Sequence, residues 1–193
     1  MTQPRILAFS GSLRKDSYNT KLVNIAAQGA QEAGAQVTCI ELRDYPLPLF
    51  DEDYEAEHGM PENLLKLKKL FEEHDGLLIA SPEYNSSYSG ALKNAIDWLT
   101  RKATDDEPML AAFKNKTCSI MACSPGALGG LRGLSPLRVL LSNIGVIVLP
   151  TMQAVGKIGQ EIDDNGNCTT PKTEKKLKAM GAQTVKFVKA SQA

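Results

Sequence analysis

Three short stretches gather the side chains that could do chemistry. The first is Ser10-Gly11-Ser12-Leu13-Arg14-Lys15-Asp16-Ser17-Tyr18-Asn19-Thr20, which crowds hydroxyls, amides and two cations just ahead of a helical pattern. A helix start offers unpaired N–H groups and partial positive charge, so this composition suits a phosphate monoester. Ser12, Ser17 and Thr20 can donate hydrogen bonds, and Arg14 can add a charge-assisted pair. An ordinary strand-to-helix turn capped by Ser or Asn is the plain alternative. The second stretch, Ser81-Pro82-Glu83-Tyr84-Asn85-Ser86-Ser87-Tyr88-Ser89-Gly90, could aim backbone N–H groups at a flat polar ring. It also reads as a surface turn rich in turn formers. The third, Cys123-Ser124-Pro125-Gly126-Ala127-Leu128-Gly129-Gly130-Leu131-Arg132-Gly133, lets backbone approach a ligand closely, or is simply a flexible loop.

Several familiar chemistries lack their residues. There is no GxGxxG fingerprint after the first apolar run and no GxxxxGK[ST] phosphate loop. No GxSxG elbow is present, so a serine hydrolase has no nucleophile turn. A thiolate phosphatase needs an Arg where this chain has Gly129 (after Cys123) or Ser124 (after Cys118). The cysteines at 39, 118, 123 and 168 form no CxxC pair, and there are only two histidines. A Cys/His zinc site is not expected. Cys39, Cys118 and Cys123 lie in strand-like apolar segments and are expected to be buried, reduced thiols.

Composition sets the frame. The chain has 193 residues, 42% apolar and 23% charged, which fits one globular domain spanning 1–193. Lys+Arg and Asp+Glu number 22 each. That balance argues against binding nucleic acid or a membrane surface by bulk attraction. No apolar leader follows Met1, and the run from Val139 to Leu149 is too short to cross a bilayer. A cytoplasmic protein without membrane insertion is the expectation.

The elements that must position these stretches are legible as apolar periodicity. Five runs read as strands: Ile6 to Phe9, Val37 to Leu42, Leu77 to Ala80, Ser119 to Ala122 and Val146 to Leu149. Four are nearly continuous apolar, as buried parallel strands are; the second is more polar and suits a sheet edge. Helical spacing links them. Leu22, Ile25, Ala26 and Gly29 share one face, with Gly34 placed as the residue that ends the helix. Pro61 opens a helix carrying Leu64, Leu67 and Phe71, expected to end at Gly76. Leu92, Ala95, Ile96 and Leu99 mark the next. Leu131, Leu134, Leu137, Leu140 and Ile144 mark another, which either starts at Ser135-Pro136 or starts near Gly130 and kinks. Thr170-Pro171 starts the last, with Leu177, Met180, Thr184 and Val188. Two long loops remain, 43–60 and 150–169. Alternating strands and helices imply an α/β, doubly wound parallel sheet with helices on both faces. Ligands of such sheets bind beyond the strand carboxyl ends, where all three chemical stretches fall.

Gly11-Ser12-Leu13-Arg14-Lys15-Asp16-Ser17-Tyr18-Asn19 and Pro82-Glu83-Tyr84-Asn85, followed by Ser89-Gly90-Ala91-Leu92-Lys93-Asn94-Ala95-Ile96-Asp97, together resemble the NADPH-dependent FMN reductase family. The family belongs to the flavodoxin-like superfamily, and the resemblance is closest to its quinone, chromate and azo-dye reductase branch. It implies a five-stranded sheet in the order 2-1-3-4-5. It implies bound FMN, a hydride from NADPH or NADH, and small acceptors such as quinones, azo dyes, chromate or free flavin. Ser12, Arg14, Ser17, Tyr18 and Asn19 would then hold the phosphate. Pro82, Glu83, Tyr84 and Asn85 would border the isoalloxazine, and Ser124 and Gly126 would reach its pyrimidine edge. No side chain needs to act as a catalyst, since the flavin carries the chemistry. His74 reads as a helix-terminus residue instead. A homodimer or homotetramer is implied. A receiver domain shares the architecture but needs acids where Ser10 and Ser81 stand. A flavodoxin-type electron carrier that docks a partner protein is the remaining alternative; zero net charge tilts away from charge-steered docking.

Overall fold

The structure is a computed structural model and describes residues 2–192. Its elements run β1 (Arg5–Ser10), α1 (Tyr18–Glu32), β2 (Gln36–Glu41), α2 (Glu52–His58), α3 (Glu62–Glu72) and β3 (Gly76–Ala80). They continue α4 (Gly90–Leu99), β4 (Thr117–Cys123), α5 (Leu131–Asn143), β5 (Ile147–Val148), β6 (Gln153–Val155) and α6 (Pro171–Ser191). The strands pair in parallel in the order β2-β1-β3-β4-β5, with β6 also against β4. This is the expected doubly wound order, and β2 is the expected edge.

Two apolar layers flank the sheet. Leu7, Phe9, Leu77 and Ile79 point to the face covered by α3, α4 and α5, where they meet Phe71, Trp98, Phe113 and Leu134. Ile6, Ala8 and Leu78 point the other way, onto Leu22, Ala26, Leu177 and Val185 of α1 and α6. Successive strand residues face opposite sides, so both parities must be apolar in a strand covered twice. Helices α1 and α6 touch backbone to backbone. A Cβ on Gly181 would lie 1.9 Å from the Ala26 carbonyl oxygen, so only glycine fits there.

Three details depart from the sequence reading, and the structure decides between two alternatives in a fourth. Helix α3 stops at Glu72, and Gly76 instead begins β3. A Cβ at Gly76 would meet Ile6 Cδ1 at 2.8 Å and Val188 Cγ2 at 2.9 Å, so that glycine serves packing rather than a cap. Helix α5 is continuous from Leu131 with Pro136 inside it, which selects the start near Gly130. Its buried stripe is Leu134, Leu137 and Leu141, the 3.6-residue period, and Leu131 is left half exposed. Cys39 is exposed because its strand is the sheet edge, whereas Cys118 and Cys123 are buried.

The last apolar run supplies only Ile147 and Val148 to the sheet, opposite Thr117 and Cys118. Pairing resumes two residues out of step, with Gln153 opposite Met121 and Val155 opposite Cys123. Pro150, which has no N–H to give the ladder, lies in this interruption. Arg138 of α5 takes up its carbonyls, donating to Val148 O at 3.2 Å, Leu149 O at 2.5 Å and Pro150 O at 3.0 Å. The 150–169 loop thus contains a strand that carries the sheet edge up to the ligand end. The 43–60 loop contains the short helix α2, with Asp51 accepting from the Asp53 N–H as its cap.

Candidate active site

The order of strands reverses between β1 and β3, so the loops following them leave on opposite faces and open a crevice. The loop after β4 closes one side of it. The cleft is lined by Ser12, Arg14, Ser17, Tyr18 and Asn19 from the first loop, Pro82, Glu83 and Tyr84 from the second, and Cys123, Ser124 and Pro125 from the third. Nine of the eleven residues expected from sequence line it; Asn85 and Gly126 stand just outside the lining.

The first loop ends on the start of α1, where Ser17 caps the helix and its Oγ accepts the Asn19 N–H at 3.2 Å. Ser12 Oγ accepts the Arg14 N–H at 3.2 Å, which folds the loop back over the strand end. Ser89 fixes the loop from the other side. It caps α4 by accepting the Leu92 N–H and donates to the Gly11 carbonyl at 2.5 Å. A Cβ on Gly11 would lie 2.9 Å from Leu92 Cβ, so the loop needs glycine to sit this close to α4. The Arg14 side chain is exposed and makes no hydrogen bond or ion pair among the described residues. One end of the cleft therefore presents a free guanidinium, two serine hydroxyls and a helix N-terminus.

Asn19 is buried, and its amide is engaged by the end of β4. Nδ2 donates to the Cys123 carbonyl at 3.2 Å, and Oδ1 accepts the Cys123 N–H at 3.1 Å. The side chain holds the start of α1 against the end of β4 as it lines the cleft. Cys123 itself is buried, which pushes its thiol up to about 12. It is protonated at neutral pH and offers no nucleophile.

The second loop is a tight hairpin. Tyr84 and Ser87 exchange backbone hydrogen bonds at 2.9 and 3.1 Å around Asn85 and Ser86. Both central residues have positive φ, 51° and 66°, the pattern of a type I′ turn. Asn tolerates that conformation, which accounts for its place at the tip. Tyr84 is left half exposed at the mouth of the cleft.

Glu83 does not merely border the cleft. Its Oε2 accepts the backbone N–H of Arg132 at 2.9 Å and of Gly133 at 3.3 Å, while Oε1 accepts Arg132 Nε at 2.8 Å. Burial pushes its pKa up, but the Arg132 hydrogen bond and the Gly133 N–H outweigh that, and the net shift is downward.

The third loop leans on β6 and the turn after it. Ser124 N–H donates to Val155 O at 3.2 Å, and Lys157 N–H donates to Gly126 O at 3.0 Å. Ser89 and Arg132 lie inside the stretches singled out from sequence but are given no role there, and the strand β6 is not foreseen. Ser89 left a signal, a serine directly before a helical run. Arg132 left none, because its partner is 49 residues away.

The donor set fits FMN: a cationic, helix-capped end for a phosphate, and an end walled by Tyr84, Pro82 and backbone for a flat ring. The sheet order and this strand-end cleft define a flavodoxin-like protein.

Comparison with known proteins makes the assignment narrower. Residues 4–160 match the model of the family described as NADPH-dependent FMN reductase, and the chain belongs to that family. It is 32% identical over 159 residues to a quinone reductase of Escherichia coli K12, covering 81% of this chain and 79% of that protein. It is 32% identical to a Pseudomonas putida quinone reductase, covering 95% and 94%. Among solved structures, the flavoenzyme NAD(P)H:(acceptor) oxidoreductase FerB of Paracoccus denitrificans superposes with a TM-score of 0.78 at 29% identity, covering 97% of this chain and 98% of that one. An archaeal flavodoxin shares the fold alone, with a TM-score of 0.63 at 11% identity.

Proposed function

We propose that this protein is an NAD(P)H-dependent quinone reductase that works through bound FMN. The observation that carries the reading is the cleft at the strand-order reversal, built from three stretches of which the first two carry the family resemblance. When bound, FMN would supply the redox chemistry, that of a hydride acceptor for NADPH or NADH and an electron donor to a quinone. The protein's own part is to hold, orient and shield. Ser12, Ser17 and Arg14, with the unpaired N–H groups of the first turn of α1, grip the phosphate. Tyr18 walls that end, and Asn19 keeps α1 and β4 together beside it. Pro82, Tyr84, Ser124 and Pro125 border the ring, with Asn85 and Gly126 reaching in from the rims.

The reading includes a homodimer or homotetramer in which one protomer covers the other's cleft. Leu13, Tyr84, Leu128 and Leu131, each about half exposed, support it as an apolar fringe that a second copy would cover. A cytoplasmic location belongs to the same reading; four free cysteines suit a reducing compartment. No helix among the described residues is long and apolar enough to cross a membrane.

The test is direct. Purified protein should carry flavin absorbance and oxidise NADPH or NADH on addition of benzoquinone. Protein that binds FMN yet shows no quinone-dependent NAD(P)H oxidation would overturn the reductase reading. Sedimentation at concentrations well above and below that of the assay tests the oligomer.

A further inference from the structure

Helix α5 has no cap of its own. Gly130 precedes it in the left-handed conformation, at φ 85°, and provides no side chain to meet the first N–H groups. Leu131 and Gly133 still find local carbonyls, Leu128 O at 3.1 Å and Gly130 O at 3.2 Å, but the Arg132 N–H has no backbone acceptor among the described residues. Its acceptor comes from another loop. Glu83, in the turn after β3, places Oε2 on the Arg132 and Gly133 N–H groups and Oε1 on the Arg132 side chain, with Arg132 Nη2 at 2.6 Å. A carboxylate is also the favoured charge at a helix N-terminus.

This contact joins the two walls of the cleft. Pro82, Glu83 and Tyr84 form one wall, and Ser124 and Pro125, which lead into α5, form the other. The walls also touch as backbone. A Cβ on Gly133 would stand 3.0 Å from the Ser87 carbonyl oxygen, so the hairpin lies flat on the first turn of α5. Gly130 fixes the far side, since a Cβ there would come within 2.7 Å of Ala122 Cβ. A side chain that lined the ring only to touch flavin would not need its carboxylate committed to three donors of a different loop.

We propose that Glu83 is a positioning residue: it caps α5 across the cleft, locks the β3–α4 hairpin to the β4–α5 loop, and so holds the flavin ring's two walls at a fixed spacing. The proposal rests on the FMN reading given above, but its structural half can be measured without flavin.

The experiment compares full-length wild type, Glu83→Ala and Glu83→Gln, first by hydrogen exchange without flavin, then by titration with FMN. In Glu83→Ala the Arg132 amide and those of Tyr84 and Ser87 should lose protection together, while Gly133, which keeps the Gly130 carbonyl at 3.2 Å, should lose less. The sheet amides of β1 and β3 should keep theirs. The FMN dissociation constant should rise about tenfold, the loss of one charge-assisted cap and the order it imposes. Glu83→Gln keeps an oxygen that can accept the N–H groups and should recover part of both effects. The midpoint potential of bound FMN should also move in Glu83→Ala, since the spacing of ring neighbours changes. Loosening of α5 alone, with the hairpin and the FMN affinity unchanged, would reduce Glu83 to a local cap and overturn the proposal. So would a Glu83→Gln variant no better than Glu83→Ala. If wild type itself binds no FMN, the proposed function fails, and the exchange comparison alone decides whether Glu83 couples the walls.

Discussion

Asn19 and Cys123 are tied by two hydrogen bonds in opposite senses, side-chain Nδ2 to carbonyl at 3.2 Å and backbone N–H to Oδ1 at 3.1 Å. An asparagine amide matches a peptide group in its donor and acceptor, so it can extend the end of β4 as a further strand would. The pair closes the cleft at the base, where the start of α1 meets the end of β4.

Replacing Asn19 tests how much of the site is architecture. Asn19→Ala leaves a buried N–H and a buried carbonyl without partners, at about 2–4 kcal/mol for the two together. Asn19→Asp can still accept the Cys123 N–H but cannot donate, and it sets a carboxylate near the phosphate end. We expect Asn19→Ala to lower the urea midpoint most, and Asn19→Asp to weaken FMN binding more than its stability loss explains. Equal ranking in both assays would count against a structural role.

Arg14 makes the opposite prediction. Its guanidinium is exposed and pairs with nothing among the described residues, so Arg14→Ala should leave the unfolding midpoint of the flavin-free protein unchanged. Loss of a charge-assisted phosphate contact should cost about 1.5–3 kcal/mol of FMN binding, roughly ten- to hundredfold in affinity. Riboflavin, which lacks the phosphate, should bind wild type and variant alike. A variant that binds FMN as wild type does removes Arg14 from the site.

Away from the cleft, Lys68 and Glu107 form an ion pair at 2.5 Å with side chains only 4% and 11% exposed. Lys68 Nζ also donates to the Arg101 carbonyl, and the Ala103 N–H donates to Glu107, so the pair straps the chain after α4 onto α3. Burial works against the Glu107 charge, yet the Lys68 hydrogen bond prevails and holds its pKa below the ordinary range. Removing one partner strands the other, and Glu107→Ala should cost about 3–5 kcal/mol, read as a fall in the denaturant midpoint. The double replacement Lys68→Met with Glu107→Leu should recover most of it. Failure of the double variant to recover would show that the backbone contacts, not the charges, carry the strap.

What could be read from sequence follows from how local each cause is. The strands β1, β3 and β4 are apolar at both parities, and that alone names a sheet covered twice. Ser17 and Ser89 announce helix starts by their position before an apolar period. The interruption between β5 and β6 was invisible because Val146 to Leu149 looks like any buried strand. Arg138, reaching the carbonyls of Val148, Leu149 and Pro150 from α5, helps hold the break, and nothing in the run itself announces that contact. The site residues were legible one loop at a time. Their division of labour was not, because Asn19 with Cys123 and Glu83 with Arg132 are pairs set by sheet order rather than by spacing. Nothing within the second loop distinguishes a glutamate that faces a ligand from one that caps a distant helix.

His74 gives the last prediction, at the N-terminal end of β3. It is buried behind α3, with Nδ1 2.6 Å from the Leu70 carbonyl and Nε2 2.8 Å from Thr38 Oγ1. A carbonyl only accepts, so Nδ1 carries the proton, and the neutral ring accepts the Thr38 hydroxyl at Nε2. Burial lowers the His74 pKa most; the Leu70 hydrogen bond opposes it, and the positive charges of Arg5 and Lys116 add to the lowering while Glu73 works against it. The unfolded chain therefore takes up this proton first, near a pKa of about 6.5. Stability contributed by neutral His74 is complete above that value and is lost as pH falls through it toward the lower folded pKa. Urea midpoints measured on a descending pH series should drop in this window for wild type. His74→Asn should start lower and show a flatter profile, because the group that titrates is gone. A wild-type midpoint that is flat across the window, or an equally steep His74→Asn profile, would assign the acid sensitivity to other groups.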